Sequence, residues 1–391
     1  MAATAQPSNA RTRTTRAVGA QPRALRLLAG AALVAALASC ATVQTTGSAG
    51  PVAAPSEAPA APGRWTFDDT RPAAERDGYR PPRKLAVLLP MSGALATAAA
   101  PVRDGLLAGY YGERRERPEL AFYDTAGTAA GTANAYSRAI AEGADQVVGP
   151  LGREEVDALF HSPAQVPVIA LNRGSVQAPD NAAAFSLAPE DEGDAAAQYL
   201  LKRNARNVLV LSNGEDAARR SVDALTARLA QNGGSVVATL AIIGDTSVDQ
   251  TPALQNALAG GAGVDAVYLA IRGNQARVLA PQLSVAGLAT RPRVGSSLLA
   301  QGTGKAEEDQ ILDGIVFPTE SWSTGASARS LPPLTEVSRE LPTARGGAAR
   351  LFAFGFDAWL LSGYLEHLAR TPDAAIGGAT GMLRIAGDGN V

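Results

Sequence analysis

The sequence has one cysteine, Cys40, and two histidines, His161 and His367, in 391 residues. A single cysteine excludes an internal disulfide, and two histidines without an H-E-x-x-H pair leave little from which to build a zinc hydrolase. Charged residues make up only 18% of the chain, and the formal net charge of −2 provides no basic surface for nucleic acid. The composition therefore predicts neither a disulfide scaffold nor a nucleic-acid-binding protein.

Sequence motifs for phosphate binding and nucleophilic catalysis are also missing. Residues 302–305 (GTGK) lack the earlier glycine and the following Ser or Thr of a phosphate-binding loop, and residues 295–297 (GSS) lack the spacing of a nucleophile elbow. The acidic pairs Glu154-Glu155 and Asp191-Glu192 each open a predicted helix, where negative charge is favourable. We therefore expect no enzymatic activity, no cofactor and no metal site.

Residues 1–39 contain the three parts of an export signal. Five arginines and no acidic residue are followed by the apolar run 27–37, which is too short for a permanent membrane span, and by small residues. The segment ends at Leu37-Ala38-Ser39-Cys40, which resembles the lipobox of bacterial lipoproteins, in which the cysteine is acylated and becomes the first residue. We expect Cys40 to be lipidated; an incidental thiol behind an ordinary signal peptide is the alternative.

The residue after the cysteine bears on which membrane holds the protein. An aspartate there would resemble the inner-membrane retention signal, whereas this chain has Ala41. We therefore expect a lipid anchor in the outer membrane, on its periplasmic face. From Ala41 to about Pro62 the chain is mostly Thr, Gly, Ser, Ala and Pro, which cannot offset its own ordering entropy. We assign residues 40–82 to the lipidated cysteine and this tether.

The remaining chain alternates strand and helix patterns. With 46% hydrophobic residues in the whole chain, it can bury sizeable cores. The run 84–89 (KLAVLL) is continuously apolar after its first residue, as in a strand buried on both faces, and a helical pattern follows it. A second series of such units begins near residue 189. Strand–helix–strand order with short turns predicts two parallel α/β modules.

The last predicted helix, residues 351–368, has large apolar residues at four-residue spacing. Phe352, Phe356, Leu360 and Tyr364 form this stripe, and neighbouring apolar residues widen it. We therefore expect this helix to be deeply packed. After it, residues 381–385 alternate like a strand and meet the turn sequence 387–389 (GDG).

These modules carry short motifs that resemble type I periplasmic binding proteins. The motifs are, in chain order, LLPMSG at 88–93, VGPL at 148–151, PVIALN at 167–172, FDA at 356–358 and GATG at 378–381. Together with the lipobox they resemble the LppC-like penicillin-binding protein activators within that superfamily. The resemblance covers roughly residues 83–391.

The resemblance implies two Rossmann-like lobes joined by three hinge crossovers. These would lie near residues 187–189, near 317–319 and around Gly377. We accordingly assign residues 83–188 and 319–376 to lobe 1, and residues 189–318 and 377–391 to lobe 2. Larger members of the family have a helical-repeat domain before this body, and residues 41–80 show no repeat period that could form one.

A cleft ligand would lie outside the carboxyl ends of the parallel strands. By loop position alone, this rule selects side chains from both lobes, and each of them can also be an ordinary loop residue. The candidate cleft residues are Ser92, Asn172, Arg173, Ser175, Asn213, Tyr268, Arg272, Glu320 and Trp322. Arg173 is the strongest of these, because a guanidinium at a strand end can clamp a carboxylate in two-point fashion.

Two functions from different classes remain open. The resemblance implies a non-enzymatic regulator, an outer-membrane lipoprotein that binds a class A penicillin-binding protein and activates this peptidoglycan synthase. The alternative is a lipid-anchored solute-binding protein that delivers a small polar ligand, such as an amino acid, to a transporter. An outer-membrane anchor disfavours the alternative, because the transporter would lie in the other membrane.

Overall fold

The computed structural model describes residues 63–244, 248–261, 263–300, 306–325 and 331–391. The predicted signal segment 1–39, Cys40 and the predicted tether up to Pro62 lie outside these ranges. The chain divides into an N-terminal unit, Met1–Pro59, and a folded unit, Ala60–Val391, to which all the described residues belong. Within the described ranges, no helix is both long and apolar enough to cross a membrane.

Lobe 1 is built on a five-stranded parallel sheet with the strand order β2-β1-β3-β4-β5. Its elements are β1 (Lys84–Leu89), α1 (Ala96–Gly112), β2 (Glu119–Asp124), α2 (Ala129–Ala141), β3 (Gln146–Val148), α3 (Arg153–Phe160), β4 (Val168–Ala170) and β5 (Ala182–Ala184). The strand–helix alternation confirms the sequence prediction except for β5. Its three alanines gave no strand signal, and they are held by pairing with β4.

Lobe 2 repeats this architecture with the strand order β10-β9-β8-β6-β7. Its elements are α4 (Pro189–Leu201), β6 (Asn207–Ser212), α5 (Asp216–Gln231), β7 (Ser235–Ala241), α6 (Thr251–Ala259), β8 (Ala266–Ala270), α7 (Gly273–Val285), β9 (Arg293–Gly295), α8 (Ala306–Asp309) and β10 (Ile315–Val316). The chain then returns to lobe 1 through α9 (Leu334–Glu340), α10 (Ala348–Arg370), β11 (Ile376–Gly377) and β12 (Met382–Leu383).

The central strands are apolar throughout because helices cover both faces of each sheet. In β1, Leu85, Val87 and Leu89 enter one hydrophobic cluster, while Ala86 and Leu88 enter another on the opposite face. Strand β6 divides its residues between two further clusters in the same way. This division follows from the two-residue period of a strand and explains why the sequence shows continuous apolar runs.

Helix α10 lies deep in lobe 1 and crosses α1 at very short range. Seventeen of its 23 residues are buried, which confirms the deep packing predicted for this helix. The crossing depends on two glycines. A Cβ atom on Gly105 would overlap the carbonyl oxygen of Phe352, and one on Gly355 would overlap the carbonyl oxygen of Val102. The backbones of the two helices therefore touch directly.

Residues 63–82, here called the N-terminal strap, belong to lobe 1, and their assignment to the tether is wrong. The Arg64 guanidinium donates to the carbonyl oxygens of Ala178 and Ala182, each at 2.9 Å. Arg71, only 6% exposed, donates to Glu366 of α10 at 2.7 Å, and Arg80 contacts the same carboxylate at 2.9 Å. A buried charge is retained only when it is paired in this way, so these contacts hold the strap on the lobe.

The C-terminal residues also pack on lobe 1, which corrects their assignment to lobe 2. Strands β11 and β12 pair antiparallel, and Ile376, Ala379 and Leu383 are buried in the same cluster as α10. The final residue closes against β5, since the Val391 amide donates to the Ala184 carbonyl at 3.0 Å. The described chain therefore crosses between the lobes before α4 and after β10, and it does not cross at Gly377.

The α1–α10 crossing gives a direct test of the packing. We expect Gly355→Ala to lower the free energy of unfolding by about 1–3 kcal/mol or more, because the added methyl group must force two backbones apart. Chemical denaturation of the purified protein would measure this. Gly347→Ala is the matched control, because a Cβ there meets no atom within 4 Å and its backbone is helical. Equal stability of the two variants would contradict the proposed crossing.

Candidate functional site

The start of α4 is where the charged contacts between the lobes gather. This helix directly follows the first crossover, and its first turn contains Glu190, Asp191 and Glu192. Each of these carboxylates contacts a different arginine, and two of the three arginines belong to lobe 1. The acidic residues that the sequence indicated only as a favourable helix start thus also connect the lobes.

Arg173, the strongest sequence candidate, lies after β4 and forms the first of these contacts. Its Nη1 and Nη2 donate to the two carboxylate oxygens of Asp191 at 3.0 and 3.1 Å, which is fork-to-fork geometry. The sequence predicted that this guanidinium could clamp a carboxylate. The structure places it on a carboxylate of the chain itself.

Glu192 forms the second contact between the lobes and is more deeply buried. Its side chain, 8% exposed, lies 2.6 Å from Arg350 of α10. It also accepts hydrogen bonds from the Ser297 amide at 2.8 Å and from the Ser297 hydroxyl at 2.7 Å. Glu190 instead pairs inside lobe 2, with Arg220 of α5. The Glu192 carboxylate is therefore bound by one arginine and by two donors of Ser297.

The other lobe 1 candidates are fixed by neighbours in their own lobe. The Ser92 hydroxyl donates to Asp124 at 2.7 Å, and this hydrogen bond holds the pKa of Asp124 below its usual value. The Asn172 amide donates to the Leu151 carbonyl at 2.9 Å, and the Ser175 hydroxyl donates to Asp157 at 2.9 Å. These side chains shape the loops around the strand ends.

In lobe 2, Asn213 and Arg272 lie at strand ends as expected. The Asn213 side chain accepts from the Glu215 amide at 3.1 Å, and its buried Nδ2 has no partner in the described residues. Arg272, just before α7, forms an ion pair with Glu215 at 2.9 Å. This ion pair thereby joins the loops after β6 and β8 at the carboxyl end of the lobe 2 sheet.

Tyr268, Trp322 and Glu320 do not lie on an open cleft wall. Tyr268 is 0% exposed in the middle of β8, where burial raises the pKa of its phenol and its hydroxyl contacts Ser221. Trp322 is 1% exposed, stacks on Phe352 and donates to the Pro332 carbonyl at 2.9 Å. The Glu320 carboxylate, also buried, accepts from Thr319 at 2.9 Å. Loop position could not distinguish these inward-pointing residues from cleft residues.

Sequence reasoning did not predict the contact between two of the motifs that carried the resemblance. Asp357 of the FDA motif is 0% exposed and accepts from the amides of Ala379 and Thr380 in the GATG motif, at 2.6 and 2.7 Å. The Thr380 hydroxyl donates to the same carboxylate. The available signal was an aspartate within the apolar run 351–361 of α10. The Asp357 carboxylate holds the β11–β12 hairpin against α10.

Metal ligation finds no support in the arrangement of acidic and histidine side chains. Among the residues that the structure describes, no three His, Cys, Asp or Glu side chains gather in a way that could hold a metal ion. The carboxylates at the start of α4 are bound to arginines and hydroxyls. The ion pairs at the start of α4 can therefore hold the two lobes together, with each carboxylate bound to an arginine.

Comparison with protein families gives a match over most of the chain. The family model described as "LppC putative lipoprotein" matches residues 79–391. "Penicillin-binding protein activator LpoA" of Dickeya chrysanthemi is 27% identical over 305 residues, covering 68% of this chain and 44% of that protein. The Vibrio antiquarius protein of the same name is 27% identical over 346 residues, covering 78% and 55%. The chain thus spans about half the length of these curated relatives.

Solved structures establish the two-lobed fold. The C-domain of LpoA from Haemophilus influenzae, described as a regulator of PBP1A, superposes with a TM-score of 0.63 at 20% identity, covering 78% of this chain and 94% of that domain. A putative branched-chain amino acid ABC transporter structure from Chromobacterium violaceum gives a TM-score of 0.60 at 28% identity, with 78% and 96% covered. Both matches confirm the type I periplasmic-binding-protein fold predicted from the motifs.

The Asp357 contact predicts a specific pH dependence. Asp357→Asn keeps the volume but turns an amide NH₂ toward one backbone N–H, so we expect a loss of about 1–3 kcal/mol in the free energy of unfolding. Burial, opposed by the hydrogen bonds from Thr380 and Ala379, raises the pKa of Asp357 from 3.8 to about 6. The native state therefore binds the proton of the Asp357 carboxyl more tightly than the unfolded state does. The stabilisation that comes from this proton is complete below pH 3.8 and is lost as the pH rises through 6.

The difference in stability between wild type and Asp357→Asn should accordingly narrow as the pH rises through this window. Denaturant unfolding at several pH values on both sides of pH 6 measures it. Asp223→Asn, an exposed change on α5, is the control for loss of a carboxylate. A difference that widens with pH, or no difference at any pH, would contradict this account of Asp357.

Proposed function

Because the chain belongs to the LppC lipoprotein family, we propose that it binds and activates a class A penicillin-binding protein and so regulates peptidoglycan synthesis. The observation that carries this proposal is the family match across residues 79–391, which covers nearly all of the described body. Curated relatives that match 68% and 78% of this chain are named penicillin-binding protein activators. The partner and the activity are proposed for this chain from those relatives.

The proposed action is through protein contact and without catalysis by this chain. The acidic groups at the start of α4 are held by Arg173, Arg220 and Arg350, an arrangement that stabilises a lobe interface. No pair of carboxylates there is left to act as general acid and base. A two-lobed body offers a broad surface formed by both lobes, and a partner that prefers one lobe angle would be coupled to the cleft.

A lipid-anchored solute-binding protein is the second candidate. The observation in its favour is the similarity to the Chromobacterium violaceum structure, a putative branched-chain amino acid ABC transporter, at 28% identity. Against it stands the chemistry of the candidate cleft, where the Arg173 guanidinium is already occupied by Asp191.

The proposed anchor is an acylated Cys40 in the outer membrane. The sequence context of this single cysteine supports it, and multiple acyl chains would give stable membrane attachment. The folded body begins at the N-terminal strap on lobe 1, because Arg64 and Arg71 bind that lobe. A tether from Cys40 would therefore join the folded body on lobe 1.

The anchor can be tested by two substitutions. We expect Cys40→Ala to move the protein from the membrane fraction to the soluble periplasmic fraction, because no acyl chain can be attached. We expect Ala41→Asp to keep it in membranes but shift it toward the inner membrane. Fractionation and blotting measure both outcomes. Retention of Cys40→Ala in the outer membrane would contradict lipid anchoring at this residue.

The activator role can be tested by reconstitution. We expect the purified protein to bind the class A synthase of its own organism and to raise its glycan polymerisation and crosslinking rates. A different periplasmic binding protein of similar size and fold serves as the control. Because removal of the arginine-rich segment 1–39 leaves an acidic body, the stimulation should weaken at higher salt. Absence of both binding and stimulation, with tight binding of an amino acid that raises thermal stability, would favour the second candidate instead.

A further inference from the structure

Positively charged side chains gather at the amino end of the lobe 2 sheet. Strands β6, β8 and β9 are parallel neighbours, so the residues that lead into them lie side by side at one edge of the sheet. Helix α4 begins at the contacts with lobe 1 and, with 13 residues, carries the chain about 20 Å to this edge. Five residues there form what we call the basic edge: Lys202, Arg203, Arg206, Arg291 and Arg293.

A single carboxylate connects two parts of the basic edge. Asp265, just before β8, accepts from the amides of Arg206 and Asn207 at 3.0 and 2.9 Å. These hydrogen bonds hold the pKa of Asp265 below its usual value, and the nearby charge of Arg291 lowers it further. The start of β6 and the turn before β9 are therefore close enough to present their charges together.

The charges of the basic edge are not neutralised by ion pairs. None of its five cations pairs with a carboxylate in the part of the chain that the structure describes. Arg206 and Arg293 donate instead to the backbone carbonyls of Asn232 and Asp313. The carboxylates that lie beside the five cations belong to Asp265 and Asp313, so positive charge is in excess.

Such an excess is a local exception in this protein. Several arginines of lobe 1 are paired: Arg71 and Arg80 bind Glu366, and Arg115 binds Glu113. The body as a whole is acidic once the arginine-rich export signal is removed. The dipole of α4 favours cations at its carboxyl end, but it does not account for the arginines that lead into β6 and β9. The basic edge is thus a distinct surface feature.

The basic edge and the N-terminal strap lie at opposite ends of the two-lobed body. Arg173 follows β4 and Ser297 follows β9, and both contact the first turn of α4, so the carboxyl ends of both sheets face the contact between the lobes. The amino ends therefore point away from each other. Arg64 of the strap binds the Ala182 carbonyl at the start of β5, which is the amino end of the lobe 1 sheet. A membrane anchor joined to the strap would leave the basic edge facing away from that membrane.

We propose that the basic edge is the surface on which an acidic segment of the synthase docks; this inference rests on the proposed function. Guanidinium groups match carboxylates in shape and charge. The Arg203 guanidinium is already ordered, since it lies 3.6 Å from the centre of the Tyr199 ring. An acidic segment is repelled by the rest of the acidic body and attracted here, which fixes the orientation of the partner.

The docking surface can be tested by reversing two of its charges. Lys202→Glu/Arg291→Glu changes two exposed side chains that form no hydrogen bond or ion pair with the described residues, so the fold should be kept. We expect the affinity of the full chain for the synthase, measured by biolayer interferometry, to fall by about tenfold, mainly through slower association. Lys202→Gln/Arg291→Gln removes the charges without reversing them and should lower the affinity by about threefold.

Arg76→Glu/Arg114→Glu on lobe 1 is the matched control. Both side chains are exposed and form no ion pair within the described ranges, and the change in net charge is the same. The affinity for the synthase should stay within about twofold of the wild type. Thermal unfolding of every variant checks that the fold is intact.

Failure of this inference can be told apart from failure of the proposed function. No binding of the wild type to the synthase would overturn both. Binding that is unchanged in the Lys202/Arg291 variants, or that falls equally in the control, would overturn the docking surface alone. Cosedimentation with peptidoglycan sacculi or phosphatidylglycerol vesicles that is lost in these variants, with unchanged affinity for the synthase, would overturn it in favour of a polymer or a lipid.

Discussion

Seventeen of the 23 residues of α10 are buried, and three polar side chains along this helix hold three other parts of the molecule. Arg350 binds Glu192 of lobe 2, Asp357 binds the β11–β12 hairpin, and Glu366 binds the arginines of the N-terminal strap. A helix packed on all sides cannot shift without opening the core. The angle between the lobes, the β11–β12 hairpin and the N-terminal strap are therefore all positioned relative to α10.

The lobes could be predicted because local patterns determine them. Continuous apolar runs such as 84–89 identify strands covered on both faces, and the spacing in α10 identifies a buried helix. The strap could not be predicted, because Arg71 is held by Glu366 nearly three hundred positions away. Residues 63–82 carry proline and charge, which are typical of a linker, and contacts with distant residues such as Glu366 make them part of the fold.

The positions of some candidate cleft residues at strand ends could be predicted from the sequence. Arg173 lies at a strand end with a carboxylate in its fork, as its residue type suggested, but the carboxylate comes from the chain itself. Tyr268 and Trp322 are buried, because a position near a strand end does not reveal which way a side chain points. To predict that Glu192 joins the lobes, one would have to know that α10 packs in lobe 1 and brings Arg350 to this carboxylate. These long-range pairings depend on the folded topology.

The central proposal is that this body acts on a peptidoglycan synthase from a periplasmic position. The most direct measurement is crosslinking in living cells, followed by capture of this protein and identification of what is bound to it. The account predicts a class A penicillin-binding protein as the reproducible partner, absent when crosslinker is omitted. Recovery of the permease of an inner-membrane transporter, with no synthase, would contradict it.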